Sequence, residues 1–302
     1  TTDWGVSILN WLNGRSVEKM HYNSYVQVEK IEVNSYDGYR ISGELVKPVY
    51  ENKKRPVIVY FHGGGFRIAA SGLAMRNLEE YAMKLDCICI MVDYRLMPKH
   101  KFPKAFEDSC AVLLWVQAHA KDLGIDRNRI AVAGASAGGA LAAGAALWAR
   151  DTGKVDLCAQ LLIYPALDYK QTSETLTELS DAPVWNAKKN KKMWRDYLEP
   201  LTKGSEGDIS RLAYASPLYA KTFKGLPKTY LEIAEFDCLK GEDEMYQKAL
   251  EEAGVDIETH QVDKGIHGYD NYIYSRYIDI FVDKRIDFLA GVFGVDIKTD
   301  FE

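Results

Sequence analysis

Two short stretches concentrate residue types that could do chemistry. Tyr60 to Phe66 reads YFHGGGF, a histidine and three adjacent glycines directly after the apolar run Val57 to Tyr60. Gly134 to Ala140 reads GASAGGA, after the run Ile130 to Ala133 and before a helix-forming stretch of small residues. A chain dispenses with three successive side chains where bare backbone N–H groups have a use. Two uses compete here, cradling a phosphate and holding an oxyanion.

A dinucleotide turn needs G-x-G-x-x-G; Gly63 and Gly65 supply two glycines, but the sixth position is Ile68. In the second stretch Gly134 and Gly139 have nucleoside-triphosphate-loop spacing, yet Ala140 stands where a lysine must reach the phosphates. Nucleotide chemistry fails at both turns. GASAG is instead G-x-S-x-G between a strand and a helix, the setting in which a serine occupies the apex of a strained turn. Gly134 and Gly138 then avoid collision with the neighbouring strand and helix, and the helix N-terminus faces developing negative charge. In isolation such a run says only that a helix packs closely on a sheet. Paired with the triple glycine, it makes Ser136 a candidate nucleophile and the N–H groups of Gly64, Gly65 and Ala137 a candidate oxyanion hole. His62 precedes the glycine loop and reads as its anchor, through hydrogen bonds to nearby backbone, rather than as a base.

A serine hydroxyl attacks only when a base takes its proton and a third group orients that base. After Ser136 the remaining histidines are His260 and His267. His260 lies inside the alternating strand pattern IETHQV, whereas His267 lies past it in KGIHGYD, at the carboxyl end of that strand where a base is required. His267 is the candidate base. The strand pattern TYLEI runs into AEFDCL and leaves Asp237 beyond the strand end; Glu235, nearer the strand, and Asp168, before an insertion, are its rivals.

The elements that must position these groups alternate along the chain. Val26 to Val33 and Arg40 to Val46 form a hairpin about the Asp-Gly turn YDGY at Tyr36 to Tyr39. Strand patterns follow at Val57 to Phe61, Cys87 to Val92, Ile130 to Ala133, Leu161 to Tyr164, Thr229 to Ile233 and Ile257 to Val262. Helical patterns fall between and after them, at Ala74 to Leu85, Ala105 to Ala120, Ala137 to Ala149, Glu242 to Ala253 and Asn271 to Leu289. This order predicts an α/β fold, a mostly parallel eight-stranded sheet with helices on both faces and ligands at the carboxyl ends of the strands. From Tyr169 to Tyr214 no strand pattern appears, and a helix there carries Met193, Trp194, Tyr197 and Leu198 on one side. Its lysines Lys188, Lys189, Lys191 and Lys192 read as a solvated face.

The 302 residues carry 38 Lys+Arg against 43 Asp+Glu, a net charge of -5 with both signs interspersed. No basic surface for nucleic acid is implied, and a small-molecule partner is expected. The length suits one main domain, 1–302. Cys87, Cys89, Cys110, Cys158 and Cys238 form no C-x-x-C pair and sit mostly in apolar runs, which fits buried thiols in a reducing, cytoplasmic compartment and neither disulfides nor a metal site. The N-terminus lacks the basic region and cleavage site of a secretory signal, and no run reaches membrane-spanning length.

With these residues in order, the chain resembles the hormone-sensitive-lipase-like family of α/β-hydrolases, the group of many bacterial carboxylesterases and acetyl esterases. The resemblance covers most of Asp37 to Tyr269 and rests on HGGGF, DYRLMP at Asp93 to Pro98 with Phe102 and Pro103, DRNRIAVAGASAGG, YPALD at Tyr164 to Asp168, SPL at Ser216 to Leu218, EFDCL and HGY. It implies the α/β-hydrolase fold, a triad of Ser136, Asp237 and His267, an oxyanion hole of Gly64, Gly65 and Ala137, and a cap formed by 1–25 and an insertion at about 169–214. Edge-to-edge homodimers are also implied. The chain departs from the family pattern at Ala135, where Asp is frequent, and at Cys238 to Gly241, where Pro-Leu-Arg-Asp is frequent. Asp93 and Arg95 of DYRLMP read as an ion pair bracing the sheet.

The function expected is a serine carboxylic ester hydrolase that works through an acyl-serine without cofactor or metal. A non-catalytic binding protein on the same fold and a serine peptidase are the alternatives. Bulky groups in the cap segments (Trp4, Trp11, Trp185, Trp194, Tyr197) are expected to wall off the acyl side of the cleft and favour acetyl to butyryl esters.

Overall fold

The computed structural model describes residues 5–6, 8–13, 23–49, 54–203, 211–271 and 276–299. Eight strands form one sheet: β1 (Val26–Asn34), β2 (Arg40–Pro48), β3 (Arg55–Phe61), β4 (Ile88–Asp93), β5 (Ile125–Ala135), β6 (Ala159–Ile163), β7 (Lys228–Ala234) and β8 (Ile257–Val262). Their spatial order is β1-β2-β4-β3-β5-β6-β7-β8. β1, β2 and β4 pair antiparallel; every pair from β4 and β3 through β8 is parallel. The hairpin turns at Gly38, whose φ of 78° is the left-handed conformation that an Asp-Gly turn needs.

Alternation along the central strands divides the core in two. Val57, Val59 and Phe61 of β3, with Ile88, Ile90 and Val92 of β4, face one side, where α2 (Lys104–His119), α3 (Ala137–Thr152) and α5 (Lys240–Glu252) pack. Ile58 and Tyr60, with Cys89 and Met91, face the other, covered by α1 (Gly72–Leu85) and α6 (Arg276–Phe293). Both faces of the parallel strands are therefore dry, which is why β3 reads as seven buried residues in succession. β5 starts earlier than its apolar pattern, at Ile125, because Ile125 pairs with Arg55 of β3 ahead of a register shift; within the polar lead-in Asp126 and Arg129 pair at 2.8 Å. Part of the expected helix from Asn271 lies outside the described residues; the described helix begins at Arg276 and runs to Phe293.

Between β6 and β7 the chain leaves the sheet. It forms α4 (Ala187–Tyr197) and shorter helices at Thr175–Glu178, Glu199–Lys203 and Leu212–Ala215. The expected stripe on α4 is buried: Met193, Trp194, Tyr197 and the adjoining Leu198 join the core, with Tyr197 stacked on Phe66 at 3.8 Å between centroids. Lys188, Lys189, Lys191 and Lys192 occupy the exposed side. Among the described residues no helix is long and apolar enough to cross a membrane.

The expected Asp93–Arg95 pair is not formed. Asp93 accepts a hydrogen bond from Ser42 Oγ (3.1 Å), while Arg95 binds Asp108 (2.6 Å) and Asp37 (2.7 Å). Arg95 turns toward α2 and the hairpin, where the wholly buried Asp108 carboxyl needs a cation more than the partly exposed Asp93 does.

Candidate active site

Ser136 stands between β5 and α3 with φ 55° and ψ -121°, a conformation that side chains rarely adopt. The surrounding backbone holds it there. Its N–H donates to Ile163 O (2.9 Å) at the end of β6, and its carbonyl accepts from Ala140 N and Ala166 N (both 3.1 Å). The flanking glycines permit the sharp turn: a Cβ on Gly134 would stand 2.2 Å from Gly138 O, and one on Gly138 would stand 2.0 Å from Phe61 O. The helix thus starts against the backbone of β3, as the small residues of the motif predict.

Asp237 lies past the end of β7 and His267 past the end of β8, and sheet order puts both loops beside the β5 turn. His267 Nδ1 is 2.5 Å from Asp237 Oδ2, and His267 Nε2 is 2.8 Å from Ser136 Oγ. Asp237 is fully buried, and Ser136 and His267 are each 5 % exposed. The second Asp237 oxygen accepts from Leu239 N (3.0 Å), which leaves Oδ2 aimed at the imidazole.

The rival acids have other partners. Glu235 accepts from Lys264 N (2.6 Å) and braces the turn after β8. Asp168 organises the start of the excursion after β6, accepting from Lys170 N, Thr172 N, Thr172 Oγ1 and Tyr219 Oη. His260 stays on β8, bonded to Glu258 (2.7 Å) and Lys284 (3.0 Å).

The triple-glycine loop leaves β3 with Gly64 at φ 120° and Gly65 at φ 59°. Gly64 O accepts from Arg67 N and Ile68 N, tightening the turn, while the N–H groups of Gly64, Gly65 and Ala137 have no acceptor among the described residues. His62 Nδ1–H donates to Gly63 O (2.7 Å), its ring stacks on Tyr94 at 4.3 Å, and Tyr94 Oη–H donates back to His62 O (2.6 Å). Burial lowers its pKa to about 4, so the ring is neutral and can serve as an anchor without an added charge.

A cavity of about 480 Å³ joins these parts, lined by Gly63, Gly64, Gly65, Ser136 and His267 together with Tyr60, Ile68, Leu73, Tyr164, Trp185, Met193 and Asp270. Trp185 closes over the glycine loop: a Cβ on Gly65 would meet its ring at 2.9 Å, and its ring lies 5.7 Å from that of His267. The aromatic wall expected from sequence needs correction. Trp194 and Tyr197 are buried behind the loop against Phe66, Trp11 is exposed, and Trp4 lies outside the described residues. Trp185 is the tryptophan of that set that reaches the cavity.

A buried network that the motifs did not reveal supports the His267 loop. Arg285 of α6 binds Glu232 of β7 through two nitrogens (2.7 and 2.6 Å), Asp270 (3.2 Å) and Tyr269 Oη (2.9 Å). Tyr164 Oη donates to Asp270, and its ring lies 4.9 Å from that of His267. The available signal was Glu232 itself, an acid inside a strand buried on both faces, which requires a cation partner. Among the described residues no group of three or more His, Cys, Asp or Glu is arranged to hold a metal ion.

Comparison with known proteins bears on the whole arrangement. Residues 58–271 match the family described as the alpha/beta hydrolase fold. The esterase LipI of Mycobacterium tuberculosis is 37% identical over 223 residues, covering 74% of this chain and 68% of that protein. The carboxylesterase NlhH of the same organism is 34% identical over 241 residues, covering 78% and 74%. Among solved structures, a bacterial heroin esterase superposes with a TM-score of 0.85 at 31% identity, covering 95% of this chain and 91% of that one. With the strand order, the serine turn and these matches in agreement, the chain belongs to the α/β-hydrolase fold family.

Proposed function

We propose that the protein hydrolyses carboxylic esters through an acyl-serine at Ser136. The observation that carries this reading is the unbroken chain of contacts from Asp237 Oδ2 to His267 Nδ1 and from His267 Nε2 to Ser136 Oγ. With Nδ1–H donating to Asp237, Nε2 presents a lone pair and accepts the serine proton as Oγ attacks the ester carbonyl. The N–H groups of Gly64, Gly65 and Ala137 stabilise the resulting oxyanion. Collapse of the intermediate breaks the bond to the alcohol, which takes the proton from Nε2. Water then attacks the acyl-serine with His267 again as base, releasing the acid and restoring Ser136. The same chain of contacts argues against a binding protein on this fold.

The substrate is read as a small-molecule ester with a short acyl group, acetyl to butyryl, because Trp185 stands over the glycine loop where an acyl chain would extend. The cap in this reading consists of 1–25 and the insertion at about 169–214, supported by the hydrogen bonds from Asn10 and Asn13 to the 67–69 loop and by Trp185 and Met193 in the cavity lining. Homodimerisation through β8, the last strand of the sheet, belongs to the same proposal. So does a reducing, cytoplasmic setting, supported by the buried free thiols of Cys87, Cys89, Cys110 and Cys238.

Hydrolysis of nitrophenyl acetate by Ser136→Ala tests the reaction. The expected loss is on the order of a million-fold in turnover with unchanged melting; activity retained in a folded Ser136→Ala variant would end the assignment.

A further inference from the structure

The face around the cavity mouth combines an outward apolar helix with an outward basic one. Residues 8–13 are helical, and their polar side chains point inward. Asn10 Nδ2 donates to Arg67 O (2.9 Å), Asn10 Oδ1 accepts from Ala69 N (2.9 Å), and Asn13 Nδ2 donates to Ala69 O (3.0 Å). Because the asparagines face the protein, the apolar residues face out: Ile8, Leu9, Trp11 and Leu12 are 40%, 37%, 56% and 50% exposed. Four large apolar side chains within five positions form a patch, unlike the singly scattered apolar residues normal for a surface.

Arg67 connects this helix to α4. Its carbonyl is held by Asn10, and its guanidinium reaches Asp196 of α4 at 3.4 Å. α4 turns Lys188, Lys189, Lys191, Lys192 and Arg195 outward, against the single acid Asp196, which Lys192 and Arg195 already contact. This is a strongly cationic helix on a chain of net charge -5. Both helices border the ester cavity: Val6 and Asn13 line it from one side and Lys189 and Lys192 from the other, next to Val184, itself 49% exposed.

We infer that this face docks on an anionic lipid surface. Leu, Ile and Trp side chains beside lysines are the composition of a helix pair lying in a membrane interface, where the apolar groups enter the acyl boundary and the cations meet the headgroups. The charge selects the occupant. A neutral apolar partner would leave the α4 lysines without a counter-charge, whereas anionic headgroups supply one across the whole face. Docked in this way, the cavity mouth opens at the lipid surface, and an ester held there enters without crossing water.

Sedimentation of the full chain with sucrose-loaded vesicles tests this, comparing phosphatidylcholine alone with an equal mixture of phosphatidylcholine and phosphatidylglycerol. The expected result is binding to the anionic vesicles that weakens with added salt. Leu12→Asp, and separately Lys188→Glu with Lys191→Glu, each lower the partition coefficient by about tenfold or more, with hydrolysis of soluble nitrophenyl acetate unchanged as evidence of an intact fold. Absence of binding to anionic vesicles, or binding that neither variant reduces, overturns the inference. It falls equally if Leu12→Asp converts a dimer to a monomer while vesicle binding is absent, since the face would then join two copies of the chain.

Discussion

His62 illustrates how a residue beside the reacting atoms acts without taking part in the reaction. Desolvation holds its imidazole at about 4 against 6.5 for the free side chain, and the bond to Gly63 O only partly opposes that shift. The unfolded chain therefore takes up this proton first as pH falls. The contribution to stability is complete above about 6.5 and is lost as pH falls through about 4, on the order of 3 kcal/mol in all. Urea unfolding at neutral pH and at stepwise lower pH checks this: the wild type should lose stability over that window more steeply than His62→Gln, whatever the variant's absolute stability. Equal slopes would show that His62 is not held neutral by burial. The meeting of Ser136, Asp237 and His267 was anticipated from sequence because each lies at a strand end, Ser136 in a motif paired with the triple glycine, whereas Asp237 stood against Glu235 and Asp168 until the fold gave those acids other partners. Arg95 was misread toward Asp93, two residues away, because its true partners Asp108 and Asp37 come from a helix and a hairpin that only the folded sheet brings together.

At the scale of elements, two helices outside the serine turn govern the site. Through Arg285, α6 holds Glu232, Tyr269 and Asp270 beneath the His267 loop, and the Arg285 and Glu232 side chains are wholly buried. Arg285→Met leaves buried acid without its cation, a class of change that costs about 3 to 5 kcal/mol. A large fall in melting temperature with a lower kcat is expected, and unchanged melting would remove α6 from the account. In the proposed reading Trp185, just before α4, is the wall that limits acyl length. Added methylenes that press on a closed wall cost about 1 to 3 kcal/mol, so kcat/KM should peak at nitrophenyl acetate or butyrate and fall about five- to a hundred-fold by the octanoate. Trp185→Ala should move the maximum to longer chains. A wild-type rate that climbs to the octanoate contradicts a closed wall. The alternation of strands and helices was readable from periodicity, as was the buried stripe of α4. The choice of which aromatics reach the cavity was misread: Trp194 and Tyr197 belong to that buried stripe and pack behind the glycine loop against Phe66, whereas Trp185 stands in the loop before α4, where no periodicity shows which way it faces.

Across the whole molecule, the sheet determines what each region can do. Its parallel centre collects Ser136, Asp237 and His267 at one end of the strands, and β8, the end strand of the sheet among the described residues, is the edge through which the dimer is proposed to pair. Light scattering at micromolar concentration should therefore give the mass of a dimer, and a charged substitution at the exposed β8 position Gln261, Gln261→Lys, should reduce it to a monomer; a wild-type monomer contradicts the paired edge. The central claim is the covalent one, that a single serine in the whole chain carries the acyl group. Mass spectrometry of the protein inactivated by a nitrophenyl phosphonate tests it most directly. One phosphonyl group per chain is expected, located on Ser136, with activity lost in proportion to labelling and no label on Ser136→Ala. A label on another residue, or full hydrolysis with Ser136 blocked, would contradict it.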